Sequence, residues 1–384
     1  MMTLPITLSS VMIPPDASFR RESPRPPHLR NARYAEQFDW DTLFYDVYRV
    51  GEHIVLQGPP LFNLAAPLLS AQSLRNRFGP LFPRTRRVER VNANEVWLRD
   101  SSTQLTLETP LGRFEIAVQP SEIERFAGRR VLHTLSKDNE VRWIIDWIRY
   151  HERVHSADAV LFYDNGSSRY SVSELQAQLA GAFPAMVVVV VSWPFKYGPQ
   201  GGMAGAVDGQ PAPWDSDYCP TGSLQHARLR FLRRARSVLN ADIDELVVGP
   251  ESIFAAAEAA PGGFIKFPGQ WVTSAAPHPV TPADCRHGDF VYRDLRETDV
   301  CPPKWCVVPS ACDDRRHSWS VHNLFGLKAN KLISKDFSFR HFKAISNNWK
   351  GDRGDAGAFD PGRFVEDAPL CKALALAGLI TAAS

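Results

Sequence analysis

The segment Asn240-Ala-Asp-Ile-Asp-Glu-Leu-Val-Val248 holds the residues best suited to chemistry. Asp242 and Asp244 flank one apolar residue at the end of a run that reads as a buried strand. Side chains two apart on an extended chain face the same way, so both carboxylates can reach one divalent cation. Mg2+ or Mn2+ held by so few protein ligands keeps positions open for the two phosphates of a nucleotide diphosphate. It also neutralises charge that builds on such a leaving group. Two aspartates in an exposed turn are the ordinary alternative. Here, however, Ala241 and Leu246-Val247-Val248 surround them, and unpaired charge among apolar neighbours is costly. A second acidic position, Asp164, ends an apolar run in Asp-Asn-Gly-Ser-Ser. Ligands of open α/β sheets gather at the carboxyl ends of strands, where Asp164 could accept hydrogen bonds from a ribose or a base. An Asx-turn accounts for the same residues equally well.

The segments around these aspartates alternate between strand and helix. Residues 129–136 (RRVLHTLS) read as a buried strand. Val141, Ile144, Ile145, Ile148 and Val154 then recur near helical spacing, and the helix closes around His155–Ser156. A strand follows to Asp164. The next helix opens at Ser171, with Glu174 three positions on, as in a capping box. The run 185–193 (AMVVVVVSW) has no polar alternation, as expected of a strand covered on both faces. This order predicts a parallel, doubly wound α/β sheet. Residues 199–220 read as a long loop carrying Asp208, Asp215 and Asp217, a segment that could close over a ligand. An Arg-rich helix precedes the Asp242 segment; most of Arg228, Arg230, Arg233, Arg234 and Arg236 should be solvated, with one or two available to a diphosphate. Residues 1–35 are expected to form a disordered or loosely packed arm, 36–125 a β-rich domain, 126–353 the α/β domain, and 354–384 a tail of low information.

Taken in order, these α/β segments resemble glycosyltransferases of the family 92-like and family 2-like kind. The resemblance rests on Lys137, Asn139, Glu140, Trp147, Tyr150, His151, Asp164, Asn165 and Ser167, then Gln225, then Asp242, Asp244 and Glu245. It continues more loosely through Lys304, His322 and the segment Arg340–Ser346, and spans roughly residues 129–350. It implies a GT-A fold, that is, a Rossmann-like, mostly parallel sheet flanked by helices. It further implies a nucleotide-sugar donor (a UDP-sugar), a saccharide or glycoconjugate acceptor, and Mn2+ or Mg2+ as cofactor. Asp242 and Asp244 would hold the metal, and Lys137, Glu140, Asp164, Asn165, Gln225 and Asp242 would lie on the donor side. A histidine near the end of such domains often completes the metal shell, and neutral imidazole is a suitable ligand. His322 and His341 both qualify by position, each with a hydrogen-bonded structural role as the alternative.

An inverting transfer needs a base to take the acceptor's hydroxyl proton. Asp289, which precedes a strand-like run, is the expected carboxylate, ahead of Asp313 and Asp314. Trp271 could stack on an acceptor sugar, although a core position is commoner for such a residue. A nucleotidyltransferase or metal-dependent phosphohydrolase could use the same aspartate pair, and a non-catalytic carbohydrate-binding protein could keep the same fold. The chain has 44 Lys plus Arg against 42 Asp plus Glu, a net charge of +2, which argues against a nucleic-acid partner. Aromatic residues make up 11% of it, too many for a disordered chain. Its six cysteines lack metal-site spacing and are expected to be reduced and mostly buried. No apolar run approaches the ~20 residues of a membrane span, and no signal-peptide pattern opens the chain. A cytoplasmic protein is the expectation.

Overall fold

The computed structural model describes residues 6–74, 84–90, 92–199, 215–281, 283–347 and 358–381. Eight strands form its main sheet: β1 (Arg130–Ser136), β2 (Ala159–Asp164), β3 (Val187–Ser192), β4 (Ser237–Asn240), β5 (Glu245–Val248), β6 (Phe264–Val272), β7 (Cys301–Val307) and β8 (Ser338–Phe342). Their spatial order is β3-β2-β1-β4-β7-β6-β8-β5. The first four run parallel. Beyond β4 the pairing is mixed: β7 is antiparallel to β4 and to β6, β6 is parallel to β8, and β5 closes the edge antiparallel to β8. The sheet is therefore less parallel than the sequence predicts. Parallel neighbours need long crossovers, which the helices α1 (Val141–His155) and α2 (Val172–Ala182) supply in the first half. After β4 the chain returns largely through irregular segments.

The uninterrupted apolar strands are covered on both faces. Leu132, Val160, Phe162, Val188 and Val190 join Ile144, Trp147 and Ile148 of α1 and Leu175 and Leu179 of α2 in one core. Val131, Leu161, Tyr163, Val189 and Val191 point the other way, into a second core with Trp193, Leu224 and Trp305. The predicted helix ends hold: Ser156 takes a left-handed conformation after α1, and Ser171 and Glu174 form a reciprocal capping box on α2. The tail is more structured than its sequence suggests. Helix α5 (Ala368–Ala377) follows α3 (Tyr218–His226) and α4 (Ile253–Ala259) in the chain and buries Leu370 and Leu374 in the first core. It is anchored by the buried Arg340–Asp367 ion pair.

In the preceding region, Asp46–Val50, His53–Gly58, Ala93–Arg99 and Thr85–Arg90 form an antiparallel sheet, with Gln104–Thr109 and Gly112–Ala117 as a separate hairpin. This region packs on α3 and the π-helical turn Ala227–Phe231 that follows it. Two expectations change here. Arg233, Arg234 and Arg236 are exposed, as expected of most of this run, but Arg228 and Arg230 are buried and engaged within the protein. Arg230 donates to the buried Asp46 carboxylate (2.6 Å) and Arg228 to backbone carbonyls of Asp314 and His317. Burying guanidinium groups is tolerable only with such partners. The described part of the N-terminal arm is pinned by the same device. Arg21 is buried against the carbonyls of Asp39, Thr42 and Pro60. Arg25 forms a bidentate pair with Asp215 (2.6 and 2.7 Å), and Tyr34 donates to the same carboxylate.

All six cysteines are free thiols, four of them buried. Among the described residues no helix is long and apolar enough to cross a membrane.

Candidate functional site

Strands β1, β2 and β3 succeed one another toward one edge, whereas β4 lies on the other side of β1. That reversal of strand order opens a crevice at the carboxyl ends, the usual place for a ligand in an α/β sheet. A cleft of about 370 Å3 occupies it. Its walls include Ser136 at the end of β1 with Lys137 and Asn139 beyond it, Asn165 after β2, and Asn240 at the end of β4 with Asp242 and Asp244 beyond it; His322, His341 and Asn347 come from later segments. Across the reversal, β1 and β4 are joined by a side-chain bond between His133 Nδ1 and Asn240 Oδ1 (3.1 Å).

The acidic turn is fixed at every carbonyl. Asp242 O accepts from Glu245 N (3.0 Å) and Asp244 O from Phe342 N (2.9 Å). Ile243 O accepts from the buried His287 (2.9 Å), and the Ile243 side chain enters the first core. Helix α1 holds the following strand through Tyr150 and His155, which both donate to Val247 O. Three carboxylates within four residues need nearby cations, and β7 and β8 provide them. Buried Lys304 on β7 bridges Asp242 (2.8 Å) and Glu245 (3.1 Å). Burial opposes its charge, but the two carboxylates prevail and raise its pKa. Burial pushes Glu245 up to about 7 against the pull of Lys304.

His341 on β8 meets Asp244, with Nε2 and Oδ2 3.2 Å apart. Burial disfavours the charged ring, yet Asp244 raises it to about 10. Trp271 stacks on the imidazole at 4.1 Å with planes 15° apart, so it orients this histidine instead of standing ready for an acceptor sugar. Two ligands about 2.1 Å from one cation and at right angles to each other stand about 3 Å apart. The Asp244–His341 pair thus fits a divalent cation in place of the proton it shares. Mg2+ and Mn2+ are commonly held by one or two carboxylates plus phosphates and water. His322 also lines the cleft, with its Nδ1 bonded to Pro303 O (3.0 Å), and His341 is the histidine that meets Asp244.

No family model matches the sequence. No curated protein matches it either. Solved structures of glycosyltransferases do align with it, distantly. The bifunctional glycosyltransferase WbbM aligns at 11% identity and a TM-score of 0.26, over 42% of this chain and 26% of its own. The galactosyltransferase LgtC, solved with donor and acceptor sugar analogues, aligns at 10% identity and 0.28, over 66% of this chain and 97% of its own. TarS of S. aureus aligns at 9% and 0.29, over 65% of this chain and 39% of its own. The chain therefore spans well under two thirds of WbbM and of TarS. The functional reading stands on the strand order and on the cleft.

Several residues expected in the site lie elsewhere. Asp164 is closed into an Asx-turn, its carboxylate accepting from Ser167 N and Oγ (3.1 and 2.5 Å), and it does not line the cleft. Glu140 precedes α1 and pairs with Arg142 and Arg169. Gln225 is buried and donates to Ser318 and Trp319. Asp289 caps its own 3-10 turn, accepting from Arg286 N (2.7 Å), and is not a cleft residue; nor are Asp313 and Asp314. Asn165 reaches the cleft while its amide donates to the carbonyls of Trp193 and Phe195. Asp208 lies outside the described residues. Conversely, Asp217 and His133 line the cleft. The long insert singled out Asp217 only as one of three acids, and His133 sits unremarked inside an apolar run.

Proposed function

We propose that the protein is a glycosyltransferase of GT-A type that moves a sugar from a nucleotide diphosphate donor, a UDP-sugar, to a saccharide or glycoconjugate acceptor. The observation that carries this reading is the pairing of Asp244 with His341 beside Asp242, at the strand-order reversal. Asp244 and His341 would hold Mn2+ or Mg2+, which when bound supplies charge neutralisation for the departing diphosphate. Lys304 keeps Asp242 and Glu245 in place beneath the cleft, and Lys137 offers a cation at its rim. In an inverting transfer a carboxylate in the cleft takes the acceptor's hydroxyl proton as the oxygen attacks the anomeric carbon. Among the described residues Asp217 is the cleft carboxylate outside the Asp242–Glu245 turn, which makes it, and not Asp289, the candidate base.

The test is a calorimetric and thermal-shift screen of UDP-, GDP- and dTDP-sugars with and without Mn2+. A metal-dependent stabilisation by one nucleotide series is expected, and Asp244→Ala should abolish it. Unchanged binding in that variant would sink the assignment. Free UDP with an extended acceptor would distinguish transfer from the hydrolytic alternative, which releases sugar phosphate.

A further inference from the structure

Nine large apolar side chains are exposed among the described residues, and three of them fall within one short stretch: Phe325 (36%), Leu332 (72%) and Ile333 (54%). Their exposure does not come from fraying. Lys266 Nζ donates to Asn323 Oδ1 (2.7 Å) and to Asn330 O (3.3 Å), and Leu324 N donates to Asn330 Oδ1 (3.0 Å). Ser334 N is bound to Lys266 O (2.7 Å) and Leu332 N to Ala329 O (2.9 Å). Leu327 and Ala329 pack inward on the second core and Phe337 on the first. The loop thus has a buried side and an outward side, and Leu332 and Ile333 stand on the outward one.

Charge is concentrated in the same stretch. Lys328, Lys331 and Lys335 are all exposed. The whole chain has ten Lys against 34 Arg, so three lysines within eight residues are a local departure. Against these cations stand Asp336, which is exposed, and Asp313, whose carboxylate is engaged by the N–H groups of Arg315 and Arg316.

We propose that this loop docks on an anionic lipid bilayer, with Leu332, Ile333 and Phe325 entering the interfacial layer and the lysines remaining among the headgroups. Exposed apolar residues interleaved with lysine suit that surface, because lysine stems lie along apolar material while the ammonium stays hydrated. A protein partner is less well matched, since lysine is depleted at protein interfaces. The loop follows Ser320, Val321 and His322, which line the cleft, so docking would bring that wall of the cleft toward the membrane. The inference stands apart from the assignment of the cleft's chemistry.

Sedimentation of the full chain with phosphatidylcholine vesicles, with and without a minority of phosphatidylglycerol, tests it. Binding to the anionic vesicles at low salt is expected, with loss at high salt. Leu332→Glu/Ile333→Glu should abolish it. Lys328→Gln/Lys331→Gln/Lys335→Gln should weaken it on the order of a hundredfold. These sites are exposed, so thermal unfolding should be unchanged in both variants. Absence of wild-type binding, or equal binding by the Leu332/Ile333 variant, would overturn the proposal. So would a dimer in light scattering that the same variant dissolves, since the patch would then be a protein interface.

Discussion

Asn240 fixes the protonation of the residue opposite it. Its Nδ2 donates to Val321 O (3.0 Å), so its Oδ1 must accept from His133, and His133 therefore carries its proton on Nδ1. Burial lowers the ring's pKa to about 4, which keeps it neutral. Nε2 is left as a lone-pair acceptor with no partner among the described residues, on a residue of the cleft wall. A ligand hydroxyl or N–H would satisfy it. His133→Ala is expected to weaken nucleotide binding by about 1 kcal/mol, roughly fivefold in Kd, while leaving the metal dependence intact. Calorimetry with and without Mn2+ checks both halves. Among the carboxylates, Asp217→Asn should lower kcat by at least about a hundredfold, whereas Asp289→Asn should leave kcat near wild type. The reverse ranking in steady-state assays would return the base to Asp289.

At the scale of elements, α3 carries the joint between the N-terminal strands and the main sheet. Its Gly222 leaves room for the ring of Tyr45, which is itself wedged against Trp193 and Phe195. A Cβ at Gly222 would lie 2.4 Å from that ring. Gly222→Ala should therefore destabilise by about 1–3 kcal/mol through overpacking. Chemical denaturation would show it, and Gly181→Ala, at a helical position with open space around its Cβ, should as a control leave stability unchanged or raise it by up to about 1 kcal/mol. The capping box and the α1 period were legible from sequence because they are local. The mixed half of the sheet was not, because pairing between strands remote in the chain leaves no local period.

For the whole molecule, buried histidines set the acid response. Burial lowers His133 and His155 to about 4, and it depresses His151, His226 and His287 as well. In the unfolded chain these rings protonate near 6.5, so the folded state binds fewer protons between the two values. Their contribution is fully present above pH 6.5 and is lost as pH falls toward 4. Stability should decline across that window, by about 3 kcal/mol for each ring lowered to about 4. Melting temperatures from pH 7.5 down to 4 provide the measurement. A flat profile would mean that these rings gain protons in the fold.

The sequence by itself determined the strand–helix alternation, the burial of β1 to β3, and the grouping of three carboxylates in the Asp242–Glu245 turn, because all three are written in contiguous residues. Only the tertiary structure decided which side chains meet that turn. Lys304 and His341 reach it from strands 59 or more residues away along the chain. Asp164 has the position of a ligand contact in sequence but spends its hydrogen-bonding capacity on Ser167. The arginines show the same division. Composition reveals their number, but only packing reveals that Arg21, Arg25, Arg228 and Arg230 face inward, where each buried charge must find a carboxylate or carbonyl.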